Sequence, residues 1–98
     1  MTKYKLIITS EAYKDILEIS EFISQYNKRA AKDTIQFLFG ACNNLLRFPS
    51  LGVKKEAIKS EDVKIYIVRQ YLIAYKIDDK NIVILKISNQ YQNIYPNI

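Results

Sequence analysis

Ninety-eight residues, 49% hydrophobic and 26% charged, describe one folded domain with a single core and exclude a disordered chain. With no histidine and one cysteine, the sequence offers no ligand set for structural zinc, no internal disulfide and no histidine-based nucleophilic system. The net charge of +5 favours a polyanion or an acidic protein as partner.

Residues 4–9 alternate, with Tyr4, Leu6 and Ile8 on one side and Lys5, Ile7 and Thr9 on the other, the period of a half-buried strand. Ser10 is a candidate helix N-cap, and Glu11 adds negative charge to the first turn, where the helix dipole favours it. Ala12, Ile16, Ile19, Ile23 and Tyr26 then recur at three- and four-residue spacing, widened by Leu17 and Phe22. Glu11, Asp15, Glu18 and Glu21 fall on the other side. After a break at Asn27 and Lys28, the spacing repeats in Ala31, Ile35, Leu38, Cys42 and Leu45, broadened by Phe39, Leu46 and Phe48. Two such stripes joined by a short break predict a helical hairpin. Gly40 weakens a helix interior by about 1 kcal/mol relative to Ala and is expected to mark close approach to another backbone. The helix ends at Phe48-Pro49-Ser50-Leu51-Gly52, because Pro49 cannot continue it and Gly52 permits a turn.

Residues 53–62 read as a lysine-rich loop. Residues 63–87 hold three runs rich in Ile, Val and Tyr, split by two polar breaks, which predicts an antiparallel meander. Val63, Ile65 and Ile67 alternate with Lys64, Tyr66 and Val68, and Ile67 is expected to share an interior with Ile16, Ile35 and Leu38. Arg69-Gln70 and residues 78–81 are the hairpin turns, Asn81 being the residue suited to a left-handed conformation. Residues 82–87 are nearly all apolar, as suits a central strand covered on both faces. Residues 88–98 carry no charge and predict an irregular, partly docked tail. The fold class is α+β, in the order β-α-α-β-β-β, with the hairpin packed on a three- to four-stranded, mainly antiparallel twisted sheet in one domain over residues 1–98.

The charge is uneven. Residues 10–26 hold Glu11, Asp15, Glu18 and Glu21 against Lys14, a net of −3 that leaves +8 on the rest of a +5 chain. Lys28, Arg29, Lys32, Arg47, Lys54 and Lys55 supply much of that excess. Lys54, Lys55 and Lys59 could hold a phosphate backbone or simply solvate a loop. Lys64 either points into a concave basic surface or lies on an ordinary polar sheet face. Arg69 sits at a turn, free or paired with a partner's carboxylate. Lys86 interrupts an apolar strand, and the penalty of an unpaired buried cation sends it to solvent or to a carboxylate such as Asp62 or Asp78. Tyr91 and Tyr95 suit an interface, or packing of the tail on its own domain. Cys42 lies on an apolar stripe and reads as core.

Four motifs stand in order along the chain: Ser10-Glu11-Ala12-Tyr13-Lys14-Asp15-Ile16-Leu17-Glu18-Ile19, then Phe48-Pro49-Ser50-Leu51-Gly52, then residues 63–77, then residues 82–87. They resemble, respectively, the S-x-A-x-x-D-L-x-x-I helix opening, the F-P-x-x-G break, the paired Tyr-containing strands and the last strand of the RelE/ParE superfamily of bacterial toxins, the ParE branch most closely. The resemblance implies the toxin of a type II toxin–antitoxin pair of the plasmid-stabilisation kind. It further implies growth inhibition by poisoning DNA gyrase without enzymatic chemistry, and neutralisation by an acidic antitoxin. No cofactor or metal is expected, and the single cysteine and the lack of a long apolar run point to a cytoplasmic protein away from membranes. Antitoxin-binding candidates are Lys28, Arg29, Lys32 and Arg47. Target-binding candidates are Lys64, Arg69, Lys86, Tyr91 and Tyr95. An alternative is a ribosome-dependent messenger-RNA endonuclease built on Lys64, Lys54, Lys55 and Tyr91; another is a non-toxic, antitoxin-binding member. Two departures weigh against the endonuclease: Leu72 and Gln92 stand where RNA-contacting arginines are expected, and Ser88-Asn89-Gln90-Tyr91-Gln92 replaces a basic run.

Overall fold

The computed structural model describes residues 4–55 and 62–89. Lys59, Tyr91, Tyr95, Gln92 and the rest of the tail beyond Asn89 lie outside the described residues. The chain forms β1 (Lys5–Ile8), α1 (Ser10–Ser24), α2 (Lys28–Arg47), a 3-10 turn (Pro49–Leu51), β2 (Lys64–Val68), β3 (Tyr71–Asp78) and β4 (Asn81–Asn89). The sheet runs β1-β4-β3-β2, antiparallel except for the parallel pair β1–β4. The expected order and class hold, and the nearly all-apolar run is indeed a central strand.

Alternation divides the sheet into two apolar faces. Tyr71, Ile73, Tyr75, Ile82, Ile84 and Ile87 face the helices and pack with Ala12, Ile16, Leu38, Ala41, Cys42 and Leu45. Tyr4, Leu6, Ile8, Tyr66 and Val68 complete this core from the flanking strands. Val63, Ile65, Leu72 and Ala74, with Leu85, form a second cluster. Leu85 is the extra residue of a β-bulge, since Tyr75 pairs with Ile84 and Ala74 with Lys86. The bulge lets Ile84 and Ile87 both serve the main core although their spacing is odd.

Several local expectations are corrected. Thr9, not Ser10, caps α1: it is extended and its hydroxyl accepts from the Ala12 N–H. Asn27 is the cap of α2 through the Ala30 N–H, so Lys28 begins the helix and does not break it. Tyr26 and Phe22 leave the core stripe and stand exposed, 77% and 63%. Gly40 is exposed with nothing within 4 Å of an added Cβ, so no backbone approaches it. Ile67 is 42% exposed: its register partner is Leu72, so it lies on the second face of the sheet and not in the core under the helices. The left-handed residues of the two hairpins are Arg69 and Asp79, at φ 56° and 58°, while Asn81 is the first residue of β4. Ser88 and Asn89, assigned to the tail, pair with Leu72 and Tyr71 in β4. Within the predicted loop, Val53 exchanges two 2.8 Å backbone hydrogen bonds with Ile65 and so covers part of the free edge of β2.

Candidate functional site

Two of the sequence motifs are tertiary joints. The F-P-x-x-G break is a receptacle for one hydroxyl: Tyr75 Oη donates to the Pro49 carbonyl at 2.6 Å and accepts from the Gly52 N–H at 2.8 Å. A Cβ on Gly52 would stand 2.5 Å from the Tyr75 ring, so glycine is needed for contact and not for its φ of −76°. Burial raises the Tyr75 phenol above its ordinary pKa, partly opposed by the Gly52 N–H.

The helix opening S-x-A-x-x-D joins α1 to β4. β1 ends opposite Ile84, and beyond that point the edge of β4 is served by groups of α1 and its cap. The Thr9 hydroxyl donates to the Ile84 carbonyl at 2.8 Å, and Asp15 accepts from the Ile87 N–H at 3.0 Å. Ala12 is fully buried, its small side chain allowing close approach. Lys86 Nζ lies 3.6 Å from Asp15 and 3.7 Å from Glu11, its side chain 19% exposed. The expected carboxylate partner of Lys86 is therefore present, but it comes from α1 and not from Asp62 or Asp78. Burial raises the pKa of Asp15; the Ile87 N–H and Lys86 pull the other way without cancelling it, and Glu11 and Glu18 add to the rise.

Six of the other cations stand in two groups. The Val53–Ile65 bridge sets Lys54 beside Lys64 at the foot of β2, with Lys55 following. Lys64 shares the face of Tyr66 and Val68 and pairs in register with Tyr75, the helix side of the sheet. Leu72 belongs to the opposite face and is 1% exposed inside the second cluster. The second group, Lys28, Arg29 and Lys32, is exposed at the tip of the helical hairpin. Arg47 is separated from it by the length of α2, roughly 28 Å from Lys28 at the usual rise per residue, and lies 5.7 Å over Phe48. The four antitoxin-binding candidates therefore form no single patch. Arg69 is held over the Phe37 ring at 4.0 Å, and Phe37 in turn meets Tyr71 at 6.3 Å.

Cys42 is fully buried, its thiol pushed up to about 12 by desolvation, so it is not a nucleophile at neutral pH. Among the described residues, no group of three His, Cys, Asp or Glu side chains is placed to hold a metal ion. Nor is any helix among them long and apolar enough to cross a membrane.

Comparison with known proteins decides the family. The profile of the ParE toxin of the type II toxin–antitoxin system parDE matches residues 6–94. The chain belongs to the ParE toxin family. Two solved structures share its fold. One, from the chromosomal ParDE toxin–antitoxin system of P. aeruginosa, is 17% identical with a TM-score of 0.75, covering 89% of this chain and 96% of the other. The second, from the RelBE2 toxin–antitoxin complex of Mycobacterium tuberculosis, is 23% identical with a TM-score of 0.59, covering 89% and 98%. No curated protein matches the sequence significantly.

In this ParE-family chain, sequence reasoning found the motifs but not what they touch. It missed the Asp15 clasp on β4, the Tyr75 hydroxyl as the guest of Pro49 and Gly52, and the stacking of Arg69 on Phe37. It also missed the exposure of Phe22 and Tyr26. Phe22 had a signal, being displaced around the helix from Ala12, Ile16, Ile19 and Ile23, while Tyr26 lies past the end of α1 at Ser24.

Proposed function

We propose that this toxin-family chain arrests growth by binding DNA gyrase without catalysing a reaction, and that an acidic antitoxin neutralises it. The observation that carries the reading is the placement of Leu72. A ribonuclease of this superfamily needs cations converging on one phosphate to stabilise the charge of the transition state. Here the position expected to hold an arginine is an apolar side chain sealed in the second cluster. Lys64, the matching lysine, lies on the other face of the sheet. Lys86 is bound to Asp15 and Glu11. Lys54 and Lys64 do come together at the foot of β2, with Lys55 following, and a positive cluster there serves protein or nucleic acid recognition.

Gyrase as the target follows from the family resemblance, in which the C-terminal region carries the inhibitory contacts. Ser88 is buried and pairs within β4, so the segment to test is residues 90–98 and not 88–98. The experiment is induction of the full chain and of the chain ending at Asn89, with transcripts, nucleoids and plasmid topology followed together. The full chain is expected to stop growth with filamentation and gyrase-dependent plasmid cleavage while transcripts stay whole. The truncated chain is expected to fold with an unchanged circular-dichroism spectrum and to be harmless. Transcript cleavage ahead of DNA damage would replace this reading by the endonuclease. A full chain without effect on growth would replace it by the non-toxic binder.

A further inference from the structure

We infer that the tip of the helical hairpin, Phe22 and Tyr26 together with Lys28, Arg29 and Lys32, is the seat of an acidic segment of the antitoxin; this rests on reading the chain as one half of an antitoxin pair. Among the described residues, Tyr26 and Phe22 are the most exposed large apolar side chains, at 77% and 63%. Their rings already meet edge to face, 5.7 Å between centroids at 65°. They present a joined apolar surface with few rotatable bonds, the property that makes aromatic residues interface anchors. The turn that follows is short: Asn27 caps α2 and the Tyr26 and Asn27 N–H groups both bond to the Ile23 carbonyl. The cations at the start of α2 are therefore held close to the rings.

Charge selects the occupant. Residues 22–32 contain Lys28, Arg29 and Lys32 and no acidic side chain. A partner segment that sets an aliphatic or aromatic side chain on the ring pair and carboxylates over the three cations satisfies both halves of the patch. Rings beside cations also suit single-stranded nucleic acid, but the bordering groups oppose a polyphosphate. Glu18 and Glu21 lie just upstream on α1, Asp33 just downstream on α2, and residues 10–26 are net negative. A backbone of uniform negative charge leaving the tip along either helix would meet them, whereas a peptide can place its charges discretely.

The test uses the whole chain and the protein encoded by the reading frame adjoining its gene, co-expressed and then separated. Their affinity is measured for the wild type, for Phe22→Ala with Tyr26→Ala, and for Lys28→Glu with Arg29→Glu. Each double variant alters only exposed side chains and is expected to stay folded with a single cooperative unfolding transition, the charge-reversed one melting no lower than the wild type. Each is expected to bind at least tenfold more weakly. In the wild-type complex, the backbone amides of residues 22–32 are expected to gain protection from hydrogen exchange. Binding within twofold of wild type by both variants, with no protection at the tip, overturns the inference while leaving the antitoxin pairing intact. Failure of the wild type to bind that protein overturns both. Binding of a single-stranded RNA oligomer that the variants lose, with antitoxin affinity unchanged, gives the tip to nucleic acid instead.

Discussion

At the scale of single residues, Tyr75 ties the turn after α2 to the sheet, next to the Val53–Ile65 bridge. Its hydroxyl serves two backbone groups, the Pro49 carbonyl and the Gly52 N–H. Removing it in Tyr75→Phe leaves both without that partner, and an unsatisfied buried polar group costs about 1–3 kcal/mol. Urea unfolding is expected to show a loss of that order with an unchanged slope. Gly52→Ala is expected to destabilise by a similar amount, about 1–3 kcal/mol, since its Cβ enters the Tyr75 ring and the ring cannot withdraw without losing Pro49. Asp15 gives a pH test. Its pKa is raised in the folded protein, so the folded state holds the proton more tightly than the unfolded one. Stability contributed by this group is therefore present below its unfolded value of 3.8 and falls as pH rises through the folded value. Asp15→Asn keeps an acceptor for the Ile87 N–H and cannot titrate. Thermal unfolding from pH 3 to pH 7 is expected to show the wild type losing ground to the variant as pH rises. A difference between the two that stays constant across that range would mean burial does not dominate at Asp15. Neither joint was legible beforehand: the sequence displays a glycine after a proline and an aspartate on a helix, and only tertiary placement says which atoms they meet.

Elements were more legible than the turns that join them. Periodicity marks both helices and the strands β1 and β2, because burial of one face imposes a period that the sequence must carry, while apolar runs bounded by turns mark β3 and β4. The hairpin turns were less readable. Arg69 adopts a positive φ that glycine or asparagine would adopt more readily, and its guanidinium lies on Phe37, a contact that offsets local strain. The bulge at Leu85 was invisible because a continuous apolar run shows no phase. The start of α2 is also locally unfavourable: its first turn has no acidic residue and begins Lys28-Arg29, at the positive end of the helix dipole. Lys28→Glu reverses that, and is expected to stabilise the isolated chain by about 0.3–1 kcal/mol, seen as a rise in melting temperature at low salt that fades at high salt. A sequence that forgoes this gain at an exposed position is consistent with a charge kept for a partner. The same substitution that steadies the free protein is thus expected to weaken its hold on an acidic antitoxin.

At the scale of the whole molecule, the sheet is apolar on both faces but unequally. The helices cover the larger core, and the second face gathers Val63, Ile65, Leu72, Ala74 and Leu85. Fold class was legible because the order of periodic segments allows few arrangements. The use of the second face was not, because alternation alone does not say whether an apolar side chain there is covered or exposed: Ile65 is covered and Ile67 is not. This asymmetry bears on whether the scaffold can support phosphodiester chemistry. Leu72→Ala removes a fully buried side chain and is expected to lose about 2–5 kcal/mol. Leu72→Arg, which places a cation where the ribonucleases of the superfamily are expected to hold one, is expected to lose more, because the guanidinium meets the apolar side chains of Val63, Ile65, Ala74 and Leu85. A domain of this size holds about 5–15 kcal/mol in all. Leu72→Arg is therefore expected to unfold partly at 37 °C and to cleave no ribosome-bound messenger RNA. Denaturant unfolding beside a cleavage assay reads both outcomes. A well-folded Leu72→Arg chain that cuts transcripts would mean that the second face opens to solvent and RNA, and the case for gyrase would lose its main support.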